Sequence, residues 1–277
     1  MAGATLKLTV SYDGSEFAGS QVQSGQRTVQ QELDRAVSRL AETSVSTVFA
    51  GRTDTGVHAA GQVVSLRDPR PEMGEREWLL ALNAHLPDDL AVTGVERDRD
   101  DFHARYNAQW REYRYRVWSG PPQPLARRVT WQQRGDLNGE SMDTGARSLI
   151  GERDLAAVAG GGEGVPWSDR QYAPRSTVRR ITRCSCRTIA PWWGDLDGGS
   201  LFEIRIVADG FLPRMVRNVV ALLVDVGHGK HSVAWIDEVL ATRDRRMGGG
   251  TAPPQGLTLW RVGYGTDEPE PDPAPVN

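Results

Sequence analysis

The alternation of two hydrophobic periods along the N-terminal third of the chain constrains the fold most. Leu6, Leu8, Val10 and Tyr12 recur at every second residue, the period of a half-buried strand, and Asp13-Gly14 ends the run. Thr28 followed by Gln31 matches a helix-capping signature. Val29, Leu33, Ala36, Val37 and Leu40 then line one face of a helix that runs to residue 41. Strands are expected over 45–51 and 62–66, a helix over 75–84 and a strand over 90–96. The resulting order, β-α-β-β-α-β, is that of a ferredoxin-like split.

A second half begins near residue 107. Strands are expected at 112–118 and 129–133, and Met142, Ala146, Leu149 and Ile150 mark a helix. A glycine-rich run at 159–164 opens a long loop that reaches about residue 176. Strands at 178–188 and 201–208 follow, then an apolar helix at 213–226, a helix capped by Ser232 and running to Leu240, and a last strand at 257–264. The expected fold class is α+β (α/β mixed), with an N-terminal subdomain at 1–106 and a C-terminal one at 107–265. The second half echoes the first in topology without a residue-level repeat. The last twelve residues, 266–277, are Pro-rich and acidic and are expected to be a disordered tail.

A formal charge of −3 argues at first sight against a nucleic-acid partner. The distribution of charge argues otherwise. There are 31 Arg and two Lys, and removing the four acids of the tail brings the balance to +1. Residues 103–134 carry seven Arg against Glu112 alone, and residues 170–187 carry six Arg and no acid. Arg suits bidentate phosphate contacts and base stacking, although an Arg-rich coding bias with ordinary solvated faces gives the same counts. The chain has no apolar run long enough for a transmembrane helix, and its N-terminus reads as a strand rather than a signal peptide. The expected location is the cytoplasm. Cys184 and Cys186 stand too close for an ordinary structural disulfide. With only His228 and His231 as a close-spaced histidine pair, two reduced cysteines on a strand are expected, not a metal site.

Three clusters carry chemistry. The first is A-G-R-T-D-T-G-V-H-A-A-G-Q at 50–62, between two expected strands, with Arg52, Asp54 and His58 on the connection. A carboxylate at a strand end, two residues from an Arg, can stay ionised and act as nucleophile or base; the alternative is a turn closed by an ion pair. Gly51, Gly56 and Gly61 suggest positive φ angles or close approaches. The second is W-R-E-Y-R-Y-R-V-W at 110–118, where Tyr113, Tyr115 and Val117 share one strand face and Arg114 and Arg116 the other. That pattern suits RNA, and equally a half-buried strand with a solvated Arg face. The third is the apolar helix, interrupted at its start by Arg214, Arg217 and Asn218. A buried Arg217 needs a carboxylate, for which Asp54 is a candidate.

Asp54-Thr55-Gly56 and Asp143-Thr144-Gly145 both spell the motif of aspartic proteases, whose paired carboxylates share a proton. Arg52 beside the first, a helical period around the second and the mixed α/β pattern all oppose that interpretation.

Taken in order, V-S-Y-D-G at 10–14, T-V-Q at 28–30, A-G-R-T-D-T-G-V-H-A at 50–59, N-A-H-L-P-D-D at 83–89, D-F-H-A-R at 101–105, R-E-Y-R-Y at 111–115, M-V-R-N at 215–218 and A-P-P-Q-G-L at 252–257 resemble the TruA family of tRNA pseudouridine synthases. The resemblance runs from about residue 6 to 265. It implies two ferredoxin-like halves sharing a mainly antiparallel sheet, with an active-site cleft between them, and a homodimer that takes the tRNA anticodon arm as its partner. It implies an isomerase that turns uridine into pseudouridine at tRNA positions 38, 39 and 40, with no cofactor and no metal. By match to the family motifs, Asp54 is the nucleophile and Arg52 fills the gap left by a flipped base. Tyr113 lies on the uracil and helps move a proton, and Arg217 pairs with Asp54 and keeps it ionised. The chain departs from the family pattern at Ser20, where G-W-Q is usual, at Thr55, where Ala is usual, and over 154–158, where aromatics are lost. The rival from another class is a catalytically idle RNA-binding protein. The lost aromatics leave room for it, and the retained carboxylate speaks against it.

Overall fold

A computed structural model of the protein describes residues 4–160, 176–194 and 198–271. It divides into two compact units, one reaching Arg111 and including Thr258–Glu268, the other formed by Glu112–Leu257 and the residues from Pro269 on. The first unit contains β1 (Thr5–Tyr12), α1 (Val29–Ala41), β2 (Val48–Phe49), β3 (His58–Arg67), α2 (Glu75–Asn83) and β4 (Leu90–Asp98). The boundary falls inside β5 (Ala108–Ser119). The second unit continues with β6 (Trp131–Gln133), α3 (Gly139–Ser148), β7 (Gly151–Asp154), β8 (Val178–Ile189), β9 (Ser200–Ala208), α4 (Met215–Gly227) and α5 (Ala234–Thr242). Nearly all of β10 (Leu257–Tyr264) belongs to the first unit.

In the first unit β1 is central. It pairs antiparallel with β3 on one side and β4 on the other, and β2 pairs antiparallel with β3. Leu6 faces Leu66 and Leu8 faces Val64 across the β1–β3 ladder. All four, with Val10 and Tyr12, are buried. Thr28 caps α1, its Oγ1 accepting the Gln31 amide at 3.3 Å. The helix buries Val29, Leu33, Ala36 and Val37, and α2 buries Trp78 and Leu82. Full burial of side chains of this kind stabilises by about 1.5–3 kcal/mol each.

In the second unit the strand order is β5-β9-β8-β7, with β6 parallel to β5. The β7–β8 and β8–β9 ladders are antiparallel. Every residue of α4 except Arg217 and Asp225 is buried. The protein is therefore mixed α+β with mainly antiparallel pairing. Among the described residues no helix is long and apolar enough to cross a membrane.

Several differences from the sequence expectations have local causes. The strand expected over 45–51 shrinks to Val48–Phe49, because side chains of α1 capture its donors: the Val45 amide goes to Ser38 Oγ, and the Thr47 amide and hydroxyl go to Asp34 Oδ1. The short β7 was not foreseen. Val233, not Ser232, holds the N-cap of α5, and Ser232 contributes only its carbonyl, to the Trp235 amide. The unit boundary falls at Arg111 and not at 106, and β10 joins the first unit because Thr258 and Leu259 pair in parallel with His58 and Ala59 of β3. Most of the loop expected over 159–176 lies outside the described residues, as do residues 272–277 of the expected disordered tail. Within that tail, the Asp267 carbonyl accepts Trp110 Nε1 at 2.7 Å and the Glu270 carbonyl accepts Arg205 Nη2 at 2.7 Å. Residues 267–270 are thus held in place.

Candidate active site

The connection between β2 and β3 carries Arg52 and Asp54, both exposed, on either side of buried Thr53. Its backbone is pinned almost residue by residue. The Ala50 amide donates to the Val63 carbonyl at 2.8 Å, and the Ala50 carbonyl accepts Arg111 Nη2 at 3.0 Å. Gln62 Nε2 donates to the Gly51 carbonyl at 2.8 Å. The Thr53 hydroxyl shares a 2.8 Å hydrogen bond with Tyr12 OH. Asp54 opens a turn in which the Val57 amide returns to the Asp54 carbonyl at 3.1 Å. Gly56, third in that turn, takes φ +79°, which disfavours any side chain there. A Cβ at Gly61 would stand 2.5 Å from the Trp260 carbonyl, whereas Gly51 meets nothing within 4 Å and needs no special conformation.

His58 is not on the connection but at the first position of β3, buried. Its Nδ1 accepts the Gly14 amide at 3.0 Å and lies 3.2 Å from Asp13 Oδ1. The histidine thus ties the start of β3 to the end of β1. Burial pushes the Tyr12 phenol up to about 12, against the opposing pull of its Thr53 and Gln62 hydrogen bonds. Tyr12 therefore stays neutral and structural beneath the loop.

Tyr113 and Arg217 belong to the second unit. Tyr113 is buried on β5, its ring edge-on to Phe211 with centroids 4.8 Å apart. Phe211 precedes α4 in the D-G-F-L-P run, and sequence reasoning did not single it out. Arg217 is half-buried in the first turn of α4; its Nε donates to the Ala252 carbonyl at 2.6 Å, and its carbonyl accepts the Ala252 amide at 3.1 Å. Tyr115 OH donates to the Pro253 carbonyl at 2.8 Å, and burial raises this phenol far above its ordinary value. The segments 113–115, 211–218 and 252–256 are thus joined. Arg214, just before α4, has φ +57°, a left-handed conformation that is strained for a residue with a side chain. Asn218 is fully buried, donating to the Val158 carbonyl and accepting from Arg245 and Thr251.

The second D-T-G is part of α3. Asp143 accepts Arg147 Nε at 2.6 Å and the Cys186 amide at 2.8 Å, so it holds a helix against β8 and is not set up as half of a carboxylate pair. His228 bonds to Gln133 at 3.1 Å and His231 stacks on Trp235. Among the described residues no three His, Cys, Asp or Glu side chains are grouped to hold a metal ion.

The chain, whose mixed α+β scaffold presents exposed Arg52 and Asp54 on a pinned backbone, matches one family model, described as tRNA pseudouridine synthase, over residues 8–107 and 146–265. The tRNA pseudouridine synthase A of Legionella pneumophila (strain Lens) is 37% identical over 261 residues, covering 94% of this chain and 92% of that one. That of Geobacillus kaustophilus is 38% identical, covering 94% of both chains. That of Methylococcus capsulatus is 40% identical, covering 94% of this chain and 89% of its own. The chain belongs to the tRNA pseudouridine synthase family, a family of isomerases. Within it the chain falls in the TruA branch, as its motifs led one to expect.

Proposed function

We propose that the chain isomerises uridine to pseudouridine at positions 38, 39 and 40 of the tRNA anticodon stem-loop, with Asp54 as its nucleophile. The observation that carries the proposal is Asp54 itself, an exposed carboxylate on a loop whose flanking backbone is fixed on both sides. The target base lies inside a stem or stacked loop, so it has to be flipped out, at a cost of a few kcal/mol. Arg52, exposed two residues from Asp54, is suited to fill the gap. The N1–C1′ bond then breaks, the uracil turns, C5–C1′ forms, the C5 proton is lost and the freed N1 takes up a proton, leaving an isomer of the starting nucleotide. Asp54 either attacks C1′ or assists a glycal route. Tyr113 lies on the uracil and takes part in the proton transfer at C5, and Arg217 supplies the positive charge that keeps the nucleophile ionised.

Each unit is proposed to be a ferredoxin-like half. For the first, the pairing of β4 with β1, β1 with β3 and β3 with β2 supports this. The working form is proposed to be a cytoplasmic homodimer.

The test is release of tritium from tRNA carrying [5-³H]uridine. Wild type releases label, positions 38–40 then map as pseudouridine, and Asp54→Asn releases none while still binding tRNA. Full release by Asp54→Asn refutes the assignment of the nucleophile. Binding without release by the wild type favours an idle RNA-binding protein.

A further inference from the structure

Ser20 sits in the segment between β1 and α1 with only 1% of its surface exposed. A polar side chain so deeply buried needs a partner, and its partner is the backbone of Thr53, the residue before Asp54. Ser20 Oγ accepts the Thr53 amide at 2.9 Å, and the Ser20 amide donates to the Thr53 carbonyl at 3.1 Å. The two bonds run in opposite directions between the same two residues, so they fix the orientation of the Thr53 peptide groups as well as their distance. The clamp is itself anchored, because the Ser20 carbonyl accepts the Gln30 amide of α1 at 2.9 Å.

The surroundings are shaped for this approach. Gly19 has φ +93°, and a Cβ there would stand 2.9 Å from the same Thr53 carbonyl, so the contact requires glycine beside the serine. On the far side, Tyr12 OH holds the Thr53 hydroxyl. Thr53 is therefore gripped through its amide, carbonyl and side chain, and Asp54 projects from the next Cα.

We infer that Ser20 is a positioning residue for the isomerisation, holding the peptide from which the Asp54 carboxylate projects in its reactive orientation. This rests on Asp54 being the nucleophile, as proposed above. Ser20 touches no reacting atom. It acts through Thr53, and its contribution should appear in the chemical step, since small misplacements of a reacting group lower rates steeply.

The experiment compares wild type, Ser20→Ala, Ser20→Thr and Asp54→Asn on tRNA, with thermal melting of each. Ser20→Ala leaves the buried Thr53 amide without its acceptor. It is expected to lower kcat roughly tenfold while KM stays within about twofold, with the melting temperature down by a few degrees and the protein still fully folded at the assay temperature. Ser20→Thr keeps the oxygen and is expected to recover most of kcat. An inactive Asp54→Asn beside a Ser20→Ala of wild-type kcat overturns the inference alone. A folded Ser20→Thr no better than Ser20→Ala overturns it too, as does a loss in Ser20→Ala that follows loss of folded protein. An active Asp54→Asn overturns the nucleophile assignment and with it the basis of the inference.

Discussion

Glu112 and Arg205 form a two-point ion pair in the second unit, with Arg205 Nε and Nη2 at 3.0 and 2.9 Å from the two carboxylate oxygens and both residues almost wholly buried. Arg114 adds a third bond to the same carboxylate at 2.8 Å. On β9, Glu203 likewise gathers Arg187 at 2.8 Å, Arg116 at 3.4 Å and Arg114 at 3.5 Å. Removing one charge of such a pair leaves the other buried without compensation, which costs about 3–5 kcal/mol. Glu112→Gln is expected to lower the denaturant midpoint accordingly. Replacing Glu112 and Arg205 together by Met should cost less than Glu112→Gln alone. Equal losses in both variants would show that the pair does not act as a unit.

This ionic layer marks a limit of the sequence. Period-two patterning correctly divided Tyr113, Tyr115 and Val117 from Arg114 and Arg116, but the Arg face looked solvated as readily as functional. Glu112 is local, two residues before Arg114 on the same strand, but Glu203 and Arg205 sit on β9, some ninety residues away in the chain, and nothing nearby announces them. The same holds for β10, whose parallel pairing with β3 carries it into the first unit. The run around Asp54 was legible as a connection between two strands because its residues are contiguous in sequence. Ser20 was visible only as a lost aromatic, since its bond to Thr53 spans thirty-three positions.

The two cysteines should be inert in the folded protein. Both are buried on β8, and burial, with Asp143 nearby, pushes the Cys186 thiol up to about 12. Only the thiolate reacts, so at about pH 8 a thiol reagent should label neither residue in the native state and both in denaturant. Rapid native labelling at Cys186 would contradict the burial described here.

Asp34 gives a pH test of the first unit. Burial raises its pKa above the usual carboxylate value, against the pull of the Thr47 hydroxyl and amide bonds. A carboxyl with a raised folded pKa contributes stability that is full below its unfolded pKa and is lost as pH rises through the folded one. Asn retains an acceptor for Thr47 without the buried charge. The melting temperature of Asp34→Asn, relative to wild type, should therefore rise between about pH 4 and pH 7. Asp34→Ala, which loses both bonds, should be about 1–2 kcal/mol less stable. A relative melting temperature of Asp34→Asn that falls over this range would reverse the sign.

The Arg cluster expected to contact RNA over 170–187 is divided by the structure. Arg170 and Arg175 lie outside the described residues, and Arg187 is taken up by Glu203. Arg180 is exposed on β8, and Arg179, half-buried, donates to the Ser176 and Val178 carbonyls. Phosphate contacts release counterions, so tRNA affinity should fall steeply with salt, and each lost contact should reduce the slope by about one. Arg179→Gln with Arg180→Gln should weaken tRNA binding, flatten the salt slope and leave kcat at saturating tRNA unchanged. Arg187→Gln should instead show mainly as a loss of stability, because it strips a cation from a buried carboxylate. Binding measured across a salt series for the two variants, beside their melting temperatures, separates an RNA contact from a structural one. An unchanged slope in the Arg179/Arg180 variant would remove β8 from the RNA-binding surface.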